Sequence, residues 1–441
     1  MSRRILPRKF SILDPCCIIC PVNIIESFNK PLPKGLFLKT KNMIATQNTK
    51  KQLLFCPGPV NVAQNVKTAV YNEIGHREKD FSIILERLNK KILKLFETKN
   101  PSNYHPVFIT GSGTAGNETV LSSVTDNDKV LIISNGEFGE RLFDISSLHN
   151  KNTNHLRFEW GEILDLKIIE ENLDSQKPKF LIMVHHETST GMLNPIEKIG
   201  KLTKKYNVTF IVDCVSSLGA EKIDLDSSNI AFLTSSSGKA LASLPGIGII
   251  IGKHSEFKKL KDIKPKSIYL NLYKLYIYSI TLSQTPNTPA VHLFCALEQA
   301  ITNIIKENTE SRRDYIRSMA ENMRNGLKKL GLEFLISENQ MCSVLTTVKL
   351  PKFINFNSLK EKLLSENIVV YNGKGPFEGK VFQVANIGQI RPKDVQLFLK
   401  KLESILVNSK NAYSHFKNVS IIPKIAISKH PYFNPHIKTI H

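Results

Sequence analysis

The sequence lacks any long apolar run. Its longest, residues 247–251, has the length of a strand, whereas a helix needs about 20 apolar residues to cross a bilayer. With 441 residues, 41% hydrophobic and 22% charged, the chain can bury a large core. We therefore expect a soluble, cytoplasmic protein with two domains and no membrane partner.

Cysteine is also scarce. The chain has seven cysteines, an odd number, which argues against a disulfide framework. Three of them form the cluster Cys16-Cys17-x-x-Cys20, but a zinc site needs about four ligands, and no His or second Cys pair lies nearby. We predict reduced thiols and no metal site.

Acidic residues are outnumbered, with 39 Asp and Glu against 60 Lys and Arg. The excess is concentrated at the ends: residues 1–50 carry nine basic and two acidic groups, and residues 404–441 carry five Lys and no acid. A nucleic-acid interface needs clustered cations with stacking aromatics, and the sequence has no such cluster. We expect no nucleic-acid partner.

The terminal segments differ from the body of the chain. Residues 1–50 are rich in Arg and poor in acid, which favours a mitochondrial transit segment, but Pro7 and Pro15 would break its helix. A translation start at Met43 is the other interpretation, and both stay open. We predict four parts: an extension at 1–50, a large domain at 51–290, a smaller α+β domain at 291–406, and a poorly ordered basic tail at 407–441.

The body alternates strand and helix patterns. Strands are predicted at 107–109, 129–134, 179–184, 208–212, 230–233 and 247–251, and the helices between them at 115–123, 139–149 and 196–206. Further patterns are a long helical stretch in two parts, 290–305 and 311–330, the second interrupted at Gly326. They are followed by a strand at 344–350, a helix at 356–366, a strand at 368–371 and a last helix at 392–406. Such alternation indicates an α/β fold with a mostly parallel sheet and helices on both faces.

Chemically versatile groups follow four of the predicted strands: Gly111-Ser112, His185-His186-Glu187, Asp213 and Lys239. In open parallel sheets, ligands bind beyond the carboxyl ends of the strands. A lysine amine, a carboxylate and a glycine-rich anion loop are what an enzyme needs to hold pyridoxal phosphate, through a Schiff base, the ring nitrogen and the phosphate. Two other interpretations stay open. Asp213 would then cap a helix, and residues 185–187 would form a network of hydrogen bonds within a turn.

The loop Gly111-Ser-Gly113-Thr-Ala-Gly116 also matches the dinucleotide pattern G-x-G-x-x-G. A dinucleotide site needs an acid at the end of the next strand. Here that strand is followed by Ser134-Asn135-Gly136, and Glu137 comes one residue late. The lysine and aspartate favour pyridoxal phosphate over a nicotinamide cofactor.

The order of motifs resembles the class V aminotransferases of fold type I, over residues 53–405. The resemblance is carried by residues 55–60 (FCPGPV), 75–78 (GHRE), 110–114 (TGSGT), 183–195 (MVHHETSTGMLNP), 212–219 (VDCVSSLG), 237–239 (SGK), 285–288 (TPNT) and 385–388 (ANIG). The run at 191–195 is most similar to 2-aminoethylphosphonate–pyruvate transaminases. The segment at His76-Arg77 is closer to alanine– or serine–glyoxylate aminotransferases.

The resemblance implies a role for each matching residue. Lys239 would be the Schiff-base lysine and proton shuttle, and Asp213 would pair with the ring nitrogen. Phe138 would stack on the ring, although its position alone equally suggests an apolar helix cap. The other expected cofactor contacts are Ser112, Gly113, Thr114, Thr188, Ser216, Ser237 and, from the second subunit of a homodimer, Thr288.

One position departs from the family pattern. Members usually carry an arginine that grips the substrate anion, and Gln383 stands in its place. Three interpretations stay open: another cation (Lys380, Arg391 or Arg77) replaces it, the substrate differs, or transamination is reduced. We predict Gln383 and Arg77 as substrate-binding residues. The expected function is ping-pong transfer of an amino group from a 2-aminoethylphosphonate-like amine, alanine or serine to pyruvate or glyoxylate. A lyase or a non-catalytic descendant is the alternative.

Overall fold

The computed structural model describes residues 51–71 and 73–419, with side chains through residue 414. The strands are β1 Leu53–Leu54, β2 Tyr104–Thr110, β3 Val130–Ser134, β4 Thr153–Arg157, β5 Phe180–Val184, β6 His186–Glu187, β7 Met192–Leu193, β8 Thr209–Asp213, β9 Ile230–Ser236, β10 Ile247–Lys253, β11 Leu345–Lys349, β12 Ile368–Val369, β13 Tyr371–Asn372 and β14 Val381–Ala385. The predictions for residues 1–50, including the cysteine cluster, and for residues 420–441 lie outside the described residues.

The helices separate these strands along the chain. They are α1 Gln64–Thr68, α2 Lys79–Leu93, α3 Gly113–Val124, α4 Glu137–His149, α5 Leu166–Gln176, α6 Ile196–Lys205, α7 His254–Lys259, α8 Leu272–Leu282, α9 Val291–Glu307, α10 Thr309–Lys329, α11 Phe356–Ser365 and α12 Pro392–Val419. Among the described residues, no helix combines the length and the apolar character needed to span a membrane.

The large sheet has seven strands in the order β2-β10-β9-β8-β5-β3-β4. Its neighbours pair in parallel except β10, which runs antiparallel to both β2 and β9. The connection from β9 to β10 covers only residues 237–246 and contains no helix, so it turns the chain back instead of crossing over the sheet. The prediction of a mostly parallel α/β sheet is confirmed.

Both faces of this sheet are buried. Along β3, Leu131 and Ile133 belong to one apolar cluster, whereas Val130 and Ile132 belong to another on the opposite face. Successive strand residues point to opposite faces, and for that reason β3 is apolar throughout rather than alternating. Burial of both faces holds the carboxyl ends of the strands in a rigid row.

A second, three-stranded sheet of order β11-β14-β13 lies in the C-terminal part and is antiparallel. Near the start of the described chain, β1 pairs in parallel with β12, and the Phe55 ring packs 4.9 Å from that of Phe398. The single strand predicted at 368–371 is therefore two short strands that pair with different partners. The domain boundary at residue 290 stays a prediction.

Two helices continue beyond the points where the sequence pattern suggested an interruption or an end. Helix α10 passes through Gly326 without a break. A Cβ at this position would lie 2.2 Å from Leu399 Cδ1, so glycine lets Leu399 pack directly on the helix backbone. Helix α12 runs to Val419 rather than ending at residue 406, so residues 407–419 of the predicted tail are helical. That stretch has no Gly or Pro, the residues that interrupt helices.

Candidate active site

Six of the predicted site residues line one cavity of about 500 Å³ at the carboxyl edge of the large sheet. They come from the carboxyl ends of β2, β3, β8 and β9 and from the first residues after them. These ends share one edge because the four strands run in the same direction. The six are Ser112, Gly113, Thr114, Phe138, Asp213 and Lys239. Segments up to 127 positions apart in sequence thus form one site.

Lys239 lies in the connection between β9 and β10. Burial lowers the pKa of its ammonium below the usual 10.5, because a charged amine is penalised away from water. Gly58 passes against this side chain with φ +141°, and a Cβ on it would lie 2.6 Å from Lys239 Cδ. Glycine at position 58 therefore leaves room for the lysine.

Asp213 ends β8 and is 6% exposed. Its Oδ2 accepts a hydrogen bond from Asn117 Nδ2 at 2.6 Å, and its Oδ1 accepts one from the Val215 backbone N–H at 2.8 Å. Burial raises the pKa of this carboxyl, and the two donors oppose that rise. Asn117 also accepts a hydrogen bond from Thr234, which fixes the amide with its nitrogen toward Asp213.

The loop after β2 opens helix α3 directly beneath the cavity, with Ser112 as its N-cap. The first N–H groups of a helix have no partner within the helix and attract anions. A Cβ on Gly113 would lie 2.5 Å from the Val215 side chain, so glycine permits the close packing of this loop. Ser112, Gly113 and Thr114 thus place the start of a helix at the cavity wall, and their role in binding phosphate stays a prediction.

Phe138 lies in the first turn of α4, where its backbone is tied down by Glu187. The Oε2 atom of Glu187 accepts the N–H groups of Phe138 and Gly139 at 3.1 and 3.0 Å. Its Oε1 atom accepts the Ser189 hydroxyl at 2.6 Å. Glu187 is fully buried and stabilises the start of α4, which positions the Phe138 ring at the cavity.

The neighbouring histidines also make structural contacts. His185 Nδ1 lies 3.0 Å from Ser217 Oγ, and His186 Nε2 lies 2.6 Å from Cys342 Sγ. Burial lowers the pKa of both imidazoles to about 3, so both are neutral at physiological pH. The turn-network interpretation accounts for these contacts and for those of Glu187.

Two predicted contacts lie behind the cavity lining in the described structure. Ser216 is buried and donates its hydroxyl to the His186 carbonyl at 3.1 Å. Ser237 is buried too, and donates its hydroxyl to the Leu244 carbonyl at 2.6 Å. Their roles as cofactor contacts stay predictions.

Three further predicted residues are not among the side chains that line this cavity. Thr188 is buried, in the turn after β6. Thr288 is exposed in the loop before α9, and exposed Arg77 donates to the Thr285 carbonyl of that loop at 2.8 Å. Within this single subunit, Thr288 and Arg77 belong to a surface outside the cavity.

Gln383 lies on β14 and is 2% exposed. Its Nε2 donates to the backbone carbonyls of Thr188 at 2.5 Å and Ser189 at 3.2 Å. Both hydrogens of the amide are thereby engaged, and the side chain ties the small sheet to the turn after β6. The predicted contact with substrate stays a prediction.

Replacing Gln383 with leucine is expected to lower the free energy of unfolding by about 1–3 kcal/mol, because two buried carbonyls lose their donor. Urea unfolding measures this loss. Gln299→Leu is the matched control, since that amide is half-buried on α9 and donates only to the Asn303 side chain. Equal free energies of unfolding for the Gln383→Leu protein and wild type would show that these two hydrogen bonds do not stabilise the fold.

Nine of the fifteen residues that line the cavity were absent from the sequence prediction, among them Gly58, Asn117 and Arg141. Gly58 lies in residues 55–60 (FCPGPV), a segment that carries the family resemblance, and this was the available signal. Asn117 comes one residue after the glycine-rich loop, on the helix turn that faces β8. Arg141 follows Phe138 by three positions, which puts both on one face of α4.

The family model described as Aminotransferase class-V matches residues 60–380 of the chain. The chain belongs to this family. An uncharacterized aminotransferase of Methanocaldococcus jannaschii is 35% identical over 361 residues, covering 81% of this chain and 93% of that protein. A 2-aminoethylphosphonate–pyruvate transaminase of Bacteroides fragilis is 30% identical and covers 78% and 96%.

Among solved structures, the alanine–glyoxylate aminotransferase of a Nostoc species superposes with a TM-score of 0.77. It is 29% identical to this class V aminotransferase, with 81% of this chain and 96% of that chain covered. The expected family and fold are confirmed, and the protein is an aminotransferase. Members of the family are pyridoxal-phosphate enzymes, and the relatives do not favour the lyase or non-catalytic alternative.

Proposed function

We propose that this class V aminotransferase binds pyridoxal phosphate in the 500 Å³ cavity and moves an amino group from a small anionic amine to a keto acid. The donors we expect are 2-aminoethylphosphonate, alanine or serine, and the acceptors are pyruvate or glyoxylate. The observation that carries the proposal is the convergence of the Lys239 amine, the Asp213 carboxylate and the α3 N-terminus on one cavity.

The residues present fit this cofactor in size and chemistry. The Ser112–Thr114 loop offers backbone N–H groups to a phosphate, and the Phe138 ring offers a face for a planar heterocycle. Asp213 is a buried carboxylate, and burial raises the free energy of its ionised form. A cationic partner lowers that free energy again. A protonated ring nitrogen is such a partner.

When bound, pyridoxal phosphate supplies the carbonyl that takes up the amino group and the conjugated ring that draws electrons from the substrate. The chain's own residues orient that chemistry. Asp213 Oδ atoms would hold the proton on the ring nitrogen, and Asn117 keeps the carboxylate in place. Lys239 Nζ, with its lowered pKa, would be suited to hold the proton released from the amino-bearing carbon of the substrate and to give it up again.

The test is a panel of half-reactions on the protein loaded with pyridoxal phosphate. The visible absorbance band of the lysine-bound cofactor should disappear on adding an amino donor and return on adding pyruvate or glyoxylate. A protein that takes up no pyridoxal phosphate would overturn the proposal. No response to 2-aminoethylphosphonate, alanine or serine would reject the substrate list and leave the cofactor assignment standing.

We also propose a homodimer in which Thr288 of one subunit reaches the cofactor of the other. The supporting observation is that Thr288 is exposed and outside its own subunit's cavity. Sedimentation should give the mass of two chains, and Thr288→Ala should weaken cofactor binding about ten-fold through one lost bond to phosphate. Thr281→Ala is the control, because that exposed hydroxyl bonds within α8. An active monomer would contradict the dimer.

A further inference from the structure

The neutral amide of Gln383 leaves open which cation attracts an anionic substrate. Of the substitutes expected from the sequence, Arg391 is paired with Asp394 and the exposed Lys380 lines a different cavity. Arg77 bonds a surface loop. None of the three lines the cavity that contains Lys239.

Two other cations lie at the Phe138 side of that cavity. Arg141 Cζ lies 4.6 Å from the centre of the Phe138 ring, and Lys374 Nζ lies 5.0 Å from it. Both cations contact the same atom, Glu137 Oε1: Arg141 Nη2 at 2.5 Å and Lys374 Nζ at 2.8 Å. Arg141 also lines the cavity itself. The two cations are thus held together at its edge.

The charge of this group is not cancelled. One carboxylate faces two cations, which leaves one net positive charge. An ammonium has three N–H donors and a guanidinium five, so donors remain beyond those that bond Glu137. The Lys374 and Arg141 side chains are 41% and 37% exposed, and a ligand entering from solvent can reach them.

Both cations also act electrostatically on the catalytic lysine. Burial is the main cause of the lowered pKa of Lys239, and the positive charges of Lys374 and Arg141 lower it further. Such an effect requires short distances, because charge interactions decay with separation and screening. The two groups therefore lie within electrostatic reach of the reacting amine.

The loop that carries Lys374 packs against Trp160, and through Trp160 it is connected to α4. Gly375 follows with φ +50°, and a Cβ on it would lie 2.6 Å from the Trp160 ring. Trp160 in turn donates its indole N–H to Glu140 Oε1 on α4 at 3.1 Å. This packing places Lys374, a residue of the connection between β13 and β14, over the first turn of α4.

We propose that Lys374 and Arg141 together bind the anionic group, carboxylate or phosphonate, of the substrate, and that Glu137 is the positioning residue for both cations. The proposal rests on the proposed function, since it assigns the substrate class of the same site. Charge-assisted hydrogen bonds from two cations recognise such a group strongly. Lys374 thus supplies a positive charge that position 383 lacks.

The experiment compares Lys374→Met with Lys380→Met and the charge-conserving Lys374→Arg, all loaded with pyridoxal phosphate. Lys380 is the matched control, since it lies in the same β13–β14 connection and is exposed. Calorimetric titration uses ethylphosphonate and propionate, which carry the anion without an amine. Lys374→Met should weaken binding of at least one anion about ten-fold or more. The other two variants should stay within about three-fold of wild type.

Kinetics separate recognition of charge from a structural effect. KM for 2-aminoethylphosphonate or alanine should rise in Lys374→Met, and the ratio of kcat/KM for these donors to kcat/KM for ethylamine, which has no anion, should fall about ten-fold or more. Weaker binding of ethylphosphonate alone would assign a phosphonate substrate, and of propionate alone a carboxylate. Unchanged binding of both anions in loaded Lys374→Met protein would overturn this proposal. A wild type that takes up no cofactor would instead overturn the proposed function.

Discussion

Lys239→Ala protein is expected to lose transamination by a factor on the order of 10³ or more, because in the proposed function one side chain provides both the covalent attachment and the proton transfer. Half-reaction rates under single-turnover conditions measure the loss. Borohydride reduction followed by peptide mass analysis should find the cofactor on Lys239 in wild type and on no lysine in the variant.

Lys253→Ala is the matched control for this substitution. Burial also lowers the pKa of Lys253, but this lysine ends β10 and pairs in register with Tyr104 at the start of β2, on the far edge of the sheet. Its removal should leave the half-reaction within about two-fold of wild type. Cofactor fixed to a lysine other than Lys239, or an active Lys239→Ala protein, would reject the assignment.

Asp213→Asn protein is expected to take up the cofactor and to react roughly 10²- to 10³-fold more slowly. A neutral amide cannot hold a proton on the ring nitrogen, and removal of one preorganised electrostatic partner typically costs this much. The visible spectrum checks loading, and the half-reaction checks the rate. The residues expected to hold the phosphate and Lys239 are unchanged, so the variant should take up cofactor as wild type does while its half-reaction is slower.

The control for Asp213→Asn is Asp226→Asn. Asp226 accepts hydrogen bonds from Tyr104 and Thr98 far from the cavity, so its loss affects stability and not the reaction. An Asp213→Asn protein with the rate of wild type would show that the carboxylate serves only to cap the turn at Val215. In that case another group must face the ring nitrogen.

Much of the site was readable from local pattern. The strands before Ser112, Asp213 and Lys239 have apolar runs, and the loops after them carry glycine, carboxylate and amine at the positions where a parallel sheet presents ligands. The antiparallel direction of β10 was not readable in this way. A strand has the same periodicity in either direction, and only the short connection from β9 decides the pairing.

Contacts between distant segments could not be read from the sequence. Glu187 was predicted as part of a polar cluster, yet its partners are backbone N–H groups about 50 positions earlier. Lys374 was overlooked beside Lys380 because both are lysines in one polar connection. The contacts of Lys374 with Glu137 and Phe138, and the packing of Gly375 on Trp160, distinguish the two lysines. Gln383 was predicted to bind substrate because of its position in the family pattern. Its hydrogen bonds to two backbone carbonyls depend on how the sheet that contains β14 packs against the turn after β6.

The sequence by itself determined the α/β alternation, the family, and which lysine, aspartate and glycine-rich loop meet. Periodicity and motif order are properties of the local sequence. Parallel strands place their carboxyl ends at one edge of the sheet, whatever the order in which the chain connects them. The tertiary structure alone decided which cations stand beside the cavity and what Gln383 contacts. Those contacts depend on burial and close packing between elements up to 237 positions apart in the sequence. No local sequence pattern marks the side chains that make them.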